Sequence, residues 1–149
     1  KDKNLSKKAL DSIKNTRILL VDDNRINQMV AKGILNKLGF HLIDIANNGI
    51  ECLEKLKLGK SDASYNLVLM DCQMPEMDGY EATKQIRMGK AGEINETIII
   101  IAMTANAMAD DKQKCLDAGM DDYLSKPIEA GLLVTKLLHW LIDNKAGET

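Results

Sequence analysis

Asp71 closes the apolar run Leu67-Val68-Leu69-Met70, with Pro75 and Gly79 soon after. A second acidic pair, Asp22-Asp23, closes the run Ile18-Leu19-Leu20-Val21. Thr104 ends a third run, and Lys126 follows a short fourth. If these runs are parallel strands, their ends share one edge, where open α/β sheets bind ligands. Three carboxylates, a hydroxyl and an ammonium would then meet. A carboxylate in such a cluster can attack phosphorus and form a mixed anhydride.

The same cluster suits a hard divalent cation. Neighbouring carboxylates repel one another, and a bound cation relieves that repulsion. Magnesium takes oxygen ligands in octahedral geometry and keeps several waters. Asp22, Asp23 and Asp71 are the candidate metal ligands, with the backbone carbonyl of Gln73 as a further oxygen; manganese could substitute. The Thr104 hydroxyl can donate to a phosphoryl oxygen. Lys126 can pair with Asp71 or with the phosphate as a flexible point charge. Pro127 follows it, so the Lys126–Pro127 bond is a candidate cis peptide that would swing the lysine over the site.

Elements must bring these residues together. The spacing predicts strands at 18–21, 42–46, 67–70, 98–102 and 122–124. Most lack clean period-2 alternation, as strands buried on both faces do. Ile26, Met29, Val30, Ile34, Leu35 and Leu38 recur at helical spacing until Gly39. Ile50, Leu53, Leu56 and Leu58 line a second helix. Asp78 and Glu81 stand as a capping pair ahead of a third, which runs through Ala82, Ile86 and Met88. A fourth is expected from Asn106 to Ala118, and a fifth over 128–142 with Leu132, Leu133, Leu137, Leu138 and Leu141 on its apolar side. Met29, Met88 and Met108 fit helix packing, while Met70, Met74 and Met77 bracket the acid site. The stretch 89–97 reads as a surface loop. Alternating strands and helices imply an α/β fold with helices on both faces of a parallel sheet.

Composition removes several functions. The chain has 149 residues, one domain's worth, and a net charge of -2. It has no basic stripe and only 3% aromatic residues, which excludes direct nucleic-acid binding by this segment. Cys52, Cys72 and Cys115 match no metal or redox spacing. Cys52 and Cys115 read as small buried hydrophobes and Cys72 as a spacer. His41 and His139 read as surface or boundary residues. No apolar stretch reaches about 18 residues, so no membrane contact is expected of this segment. A cytoplasmic domain is expected, compatible with a parent protein anchored in an inner membrane. No Gly-x-x-x-x-Gly-Lys-Ser/Thr occurs, which excludes a P-loop enzyme.

Four motifs together resemble one family closely. They are Ile-Leu-Leu-Val-Asp-Asp at 18–23, Leu-Met-Asp-Cys-Gln-Met-Pro-Glu-Met-Asp-Gly at 69–79, Ala-Met-Thr-Ala at 102–105, and Ser-Lys-Pro at 125–127. The chain resembles the receiver domain of two-component signalling over residues 17–142, with 1–16 as a linker or short helix and 143–149 as a tail. The resemblance implies a flavodoxin-like (CheY-like) three-layer sandwich with a five-stranded parallel sheet in order 2-1-3-4-5 and five helices. It implies Asp71 as phospho-acceptor and magnesium held by Asp23, Asp71 and the Gln73 carbonyl, with Asp22 assisting. Thr104 and Lys126 would sense the phosphoryl group and Tyr123 would be an aromatic switch. Gln73 and Asn106 would tune hydrolysis. The segments 23–27 and 70–75 look most like receivers attached to hybrid sensor histidine kinases. Expected partners are therefore a histidine kinase dimerisation domain or a histidine phosphotransfer domain. Such a domain catalyses its own phosphoryl transfer and slow dephosphorylation without being a turnover enzyme. Alternatives are a stand-alone response regulator and a degenerate receiver that only binds proteins. Haloacid-dehalogenase phosphatases are similar in their strand-end acids, but they place a second aspartate where this chain has Gln73.

Overall fold

The computed structural model describes residues 2–59, 64–105 and 109–143. Expectations for Asn106, Met108 and 144–149 lie outside those residues. Strands β1 (Arg17–Val21), β2 (Leu42–Ala46), β3 (Leu67–Asp71), β4 (Ile99–Thr104) and β5 (Asp122–Ser125) form one parallel sheet in order β2-β1-β3-β4-β5. The helices are α1 (Asp2–Ile13), α2 (Arg25–Lys37), α3 (Gly49–Leu58), α4 (Gly79–Arg87), α5 (Ala109–Ala118) and α6 (Ala130–Leu138). The last runs on as a π-helical turn, His139–Asp143. The expected α/β architecture and strand order are both present.

The strands read as unbroken apolar runs because both sheet faces are covered. Leu19, Val21, Val68, Met70, Ile100 and Ala102 face the α3–α4–α5 side, against Cys52, Leu56, Ala82, Ile86 and Cys115. Ile18, Leu20, Leu67, Leu69, Ile101 and Met103 face α2 and α6, against Ala31, Leu35, Leu133 and Leu137. Alternate residues thus feed two cores. Polar side chains start the helices that cover them. Asn24, Asn48 and Asp78 accept from the backbone N–H of Asn27, Glu51 and Glu81, replacing partners the first helical turn lacks.

The structure corrects several packing expectations. Ile26, Met29 and Val30 are 71, 68 and 49% exposed, and the buried stripe of α2 is Gln28, Ala31 and Leu35. The first turns of α2 lie at the carboxyl edge of the sheet, where no strand remains to cover them. Met88, Leu58, Ile50 and Leu132 are also exposed, each near a helix end. The 89–97 stretch is more than a surface loop. It contains a 3-10 turn, Glu93–Asn95, and its Asn95 amide is buried, donating to the Leu56 and Ala91 carbonyls at 3.0 and 2.8 Å. Arg87 fastens this region. Its guanidinium donates to the carbonyls of Gly119, Glu96 and Ile98 and pairs with Asp121 at 3.0 Å. At the other end of the chain the leader takes its helical form. Leu10 and Ile13 of α1 pack with Trp140 against the α2–α6 core.

Candidate functional site

Asp71 is the last residue of β3, and the chain turns immediately beyond it. Gly79 returns so close that a Cβ there would lie 2.2 Å from the Asp71 carbonyl oxygen. Only glycine allows that approach. The Gly79 N–H donates to the Cys72 carbonyl at 3.1 Å, and the Gly49 N–H donates to the Met77 carbonyl at 3.1 Å. Glu76 takes a left-handed conformation, with φ of 68°. The 72–78 loop is thus latched to both α4 and α3.

Asp22 and Asp23 follow β1 directly. Asp22 Oδ1 accepts from the Asn24 N–H at 2.9 Å, which folds the carboxylate over the start of α2. One oxygen each from Asp22, Asp23 and Asp71 lie within 4.8 Å of one another. Asp22 and Asp71 are buried and Asp23 is exposed. Lys126 bridges the cluster, with Nζ 2.9 Å from Asp71 Oδ1 and 3.4 Å from Asp22 Oδ2. The Lys126–Pro127 bond is cis, as Pro127 suggested. Thr104 is buried at the end of β4, one residue past Met103, the register partner of Asp71. The Lys126 N–H donates to the Thr104 carbonyl at 2.8 Å, which joins those two residues at the same edge. Gln73 is exposed, and its N–H donates to Asp71 Oδ1 at 3.2 Å.

The electrostatics follow from this crowding. Burial, reinforced by Asp22, pushes the Asp71 carboxyl up to about 6, against the pull of Lys126 and the Gln73 N–H. Burial works against the Lys126 ammonium, but Asp71 and Asp22 outweigh it and raise its pKa. Two buried acids share one ammonium here, so negative charge is left undercompensated. An all-oxygen donor set of this kind fits a hard divalent cation. Lys126 holds Asp71 Oδ1 while Asp22 and Asp23 stand beside it. This arrangement can present a nucleophilic oxygen while cationic groups shield the incoming anion.

Sequence reasoning missed Gln28. It is buried on α2, and its side-chain N–H groups donate to the Asp22 carbonyl at 2.5 Å and to Asn47 Oδ1 at 2.8 Å. A polar residue in line with Ala31 and Leu35 on the buried stripe was the available signal. Tyr123 is half-buried, and the ammoniums of Lys112 and Lys136 lie over its ring, 5.0 and 4.9 Å from the centroid. His41 and His139 are exposed, as expected. No helix among the described residues is long and apolar enough to cross a membrane.

Fold and site together define a flavodoxin/CheY-like α/β sandwich carrying a carboxylate cluster at the carboxyl edge of its sheet. The chain belongs to the family described as response regulator receiver domain, whose sequence profile matches residues 18–138. It is similar to hybrid signal transduction histidine kinase B of Dictyostelium discoideum, at 41% identity over 87% of this chain and 7% of that protein. It is also similar to the osmosensing histidine protein kinase SLN1 of Saccharomyces cerevisiae, at 40% identity over 83% of this chain and 10% of that protein. The chain therefore spans only a small fraction of these relatives. Among solved structures, it resembles the receiver domain of sensor histidine kinase PA1611 from Pseudomonas aeruginosa, which has a magnesium ion coordinated in its active-site cleft. That match has a TM-score of 0.71 and 39% identity, covering 84% of this chain and 95% of that one. The receiver domain of Ssk1, solved with the phosphotransfer protein Ypd1 of S. cerevisiae, matches with a TM-score of 0.73 and 34% identity, covering 85% and 89%.

Proposed function

We propose that this domain accepts a phosphoryl group from a phosphohistidine onto Asp71 and relays a two-component signal, as part of a hybrid sensor histidine kinase. The observation that carries the reading is the meeting of Asp22, Asp23 and Asp71 within 4.8 Å, with Lys126 at 2.9 Å from the proposed nucleophile. An Asp71 carboxylate oxygen forms the new O–P bond as the P–N bond of the phosphohistidine breaks, and the freed imidazole takes up a proton. Lys126 and Thr104 supply positive charge and a hydroxyl donor to the phosphoryl oxygens. Asp22, Asp23, Asp71 and the Gln73 carbonyl would hold magnesium, which neutralises charge on the transferring group. Slow hydrolysis of the acyl phosphate resets the domain.

The donor domain needs a landing surface beside the acid cluster. Ile26, Met29 and Val30 supply an exposed apolar face on α2. A cavity of about 90 Å³ adjoins it, lined by Val30, Ala31, Met103, Pro127 and Ile128 and reaching Asp22 and Lys126. Such a patch fits the helix of a histidine phosphotransfer or dimerisation domain. The decisive experiment is incubation with acetyl phosphate and magnesium, followed by assay of protein-bound phosphate. The wild type should label stoichiometrically and Asp71→Ala not at all. Full labelling of Asp71→Ala would overturn the assignment.

A further inference from the structure

Two of the three thiols touch beneath the acid cluster. Cys72 Sγ and Cys115 Sγ lie 3.9 Å apart although 43 residues separate them in the chain. Both are 1% exposed and belong to the α3–α4–α5 core. Their backbones are anchored separately. The Cys72 N–H donates to the Met103 carbonyl at 3.0 Å, and the Cys72 carbonyl accepts from Gly79. Cys115 sits in α5, and its carbonyl accepts from the Met120 N–H at 2.9 Å. The Tyr80 side chain completes the cluster through a hydrogen bond with Cys72.

We propose that Cys72 and Cys115 are a redox modification site, a dithiol that closes to a disulfide and tethers the residue after Asp71 to α5. The oxidant class is a peroxide. One thiol gives up its sulfur lone pair to the peroxide, leaving a sulfenic acid and one water. The second thiol attacks the sulfenic sulfur, the S–S bond forms, and a second water leaves. The two thiols lose two protons and two electrons in total, which reduce the O–O bond to two waters. Contact between the sulfurs is what makes this outcome selective. They need only close to about 2.05 Å, and the adjacent thiol traps the sulfenic acid before further oxidation. Both sulfurs are buried, so peroxide reaches them slowly and the reduced form persists under mild conditions.

The bond has a consequence for the site. Cys72 lies between Asp71 and Gln73, whose N–H holds Asp71 Oδ1. Drawing its sulfur towards α5 shifts that backbone and misaligns the carboxylate with Lys126. Displacements near 1 Å cost about 100-fold in well-oriented reactions, so labelling of the oxidised chain should slow by at least about tenfold. This consequence rests on the acceptor reading of Asp71; the disulfide does not.

The test exposes the full chain to hydrogen peroxide, caps free thiols, digests without reductant and maps linked peptides by mass spectrometry. A Cys72–Cys115 peptide, retained in Cys52→Ala and lost in Cys115→Ala and Cys72→Ala, is expected. Thermal melts check that each variant is folded. Free thiols throughout, a link through Cys52, or sulfinic acid on one cysteine alone would overturn the pair. Acetyl phosphate labelling is then compared for reduced, oxidised and re-reduced chain. Equal rates would overturn the coupling and leave the pair standing. A reduced chain that never labels would instead count against the acceptor reading.

Discussion

Asp71 carries an unfavourable charge by design of its surroundings. Its folded carboxyl titrates near 6, above the ordinary value of 3.8. Folding therefore favours the protonated form. The stabilising contribution is complete below about pH 4 and is lost as pH rises through 6, the ionised group then being a penalty. Without divalent cation, Asp71→Asn should be more stable than wild type by about 1–3 kcal/mol at pH 7.5, with the difference vanishing near pH 4. Denaturant titrations at a series of pH values check this, and magnesium should shrink the gap by stabilising only the wild type. Gln28 acts at one remove, through the Asp22 carbonyl. Gln28→Ala should lower magnesium affinity about tenfold in calorimetric titration although no ligand is removed.

At the scale of elements, the site depends on how closely α4 starts behind β3. Gly79→Ala would press a Cβ against the Asp71 carbonyl, a backbone atom that cannot swing away. The expected result is destabilisation by about 2 kcal/mol or more, together with slower phosphate labelling. Melting curves and labelling rates should move together in that variant. The start of α4 was legible because Asp78 is a capping residue whose bond to the Glu81 N–H is local; the caps at Asn24 and Asn48 came from the structure. The outward turn of Met29 and Leu58 was not legible. Hydrophobic spacing marks a helix face but does not say where the sheet beneath it stops.

Across the whole molecule, sheet order brings β1 and β3 side by side and puts β4 and β5 on the far flank. That order leaves the exposed face of α2 next to the acid cluster, where a donor domain can reach both. Replacing Ile26 and Met29 by aspartate should slow transfer from a phosphorylated histidine phosphotransfer domain by about tenfold or more. Labelling by acetyl phosphate, which needs no docking surface, should stay unchanged. Loss of both activities would point to a damaged site rather than a lost interface. The leader, expected as a linker or a short helix, is helical over Asp2–Ile13, and its Leu10 and Ile13 pack with Trp140 against the α2–α6 core.

The sequence by itself determined the strands, the Asp78-capped start of one helix and the chemical identity of Asp22, Asp23, Asp71, Thr104 and Lys126. Those features depend on local periodicity and side-chain chemistry. Only the tertiary structure decided that three carboxylates come within 4.8 Å and that Lys126 reaches two of them. It alone decided that Gln28 braces Asp22 and that Cys72 meets Cys115. These are contacts between elements distant in the chain, fixed by sheet order and helix packing, and no local pattern encodes their distances.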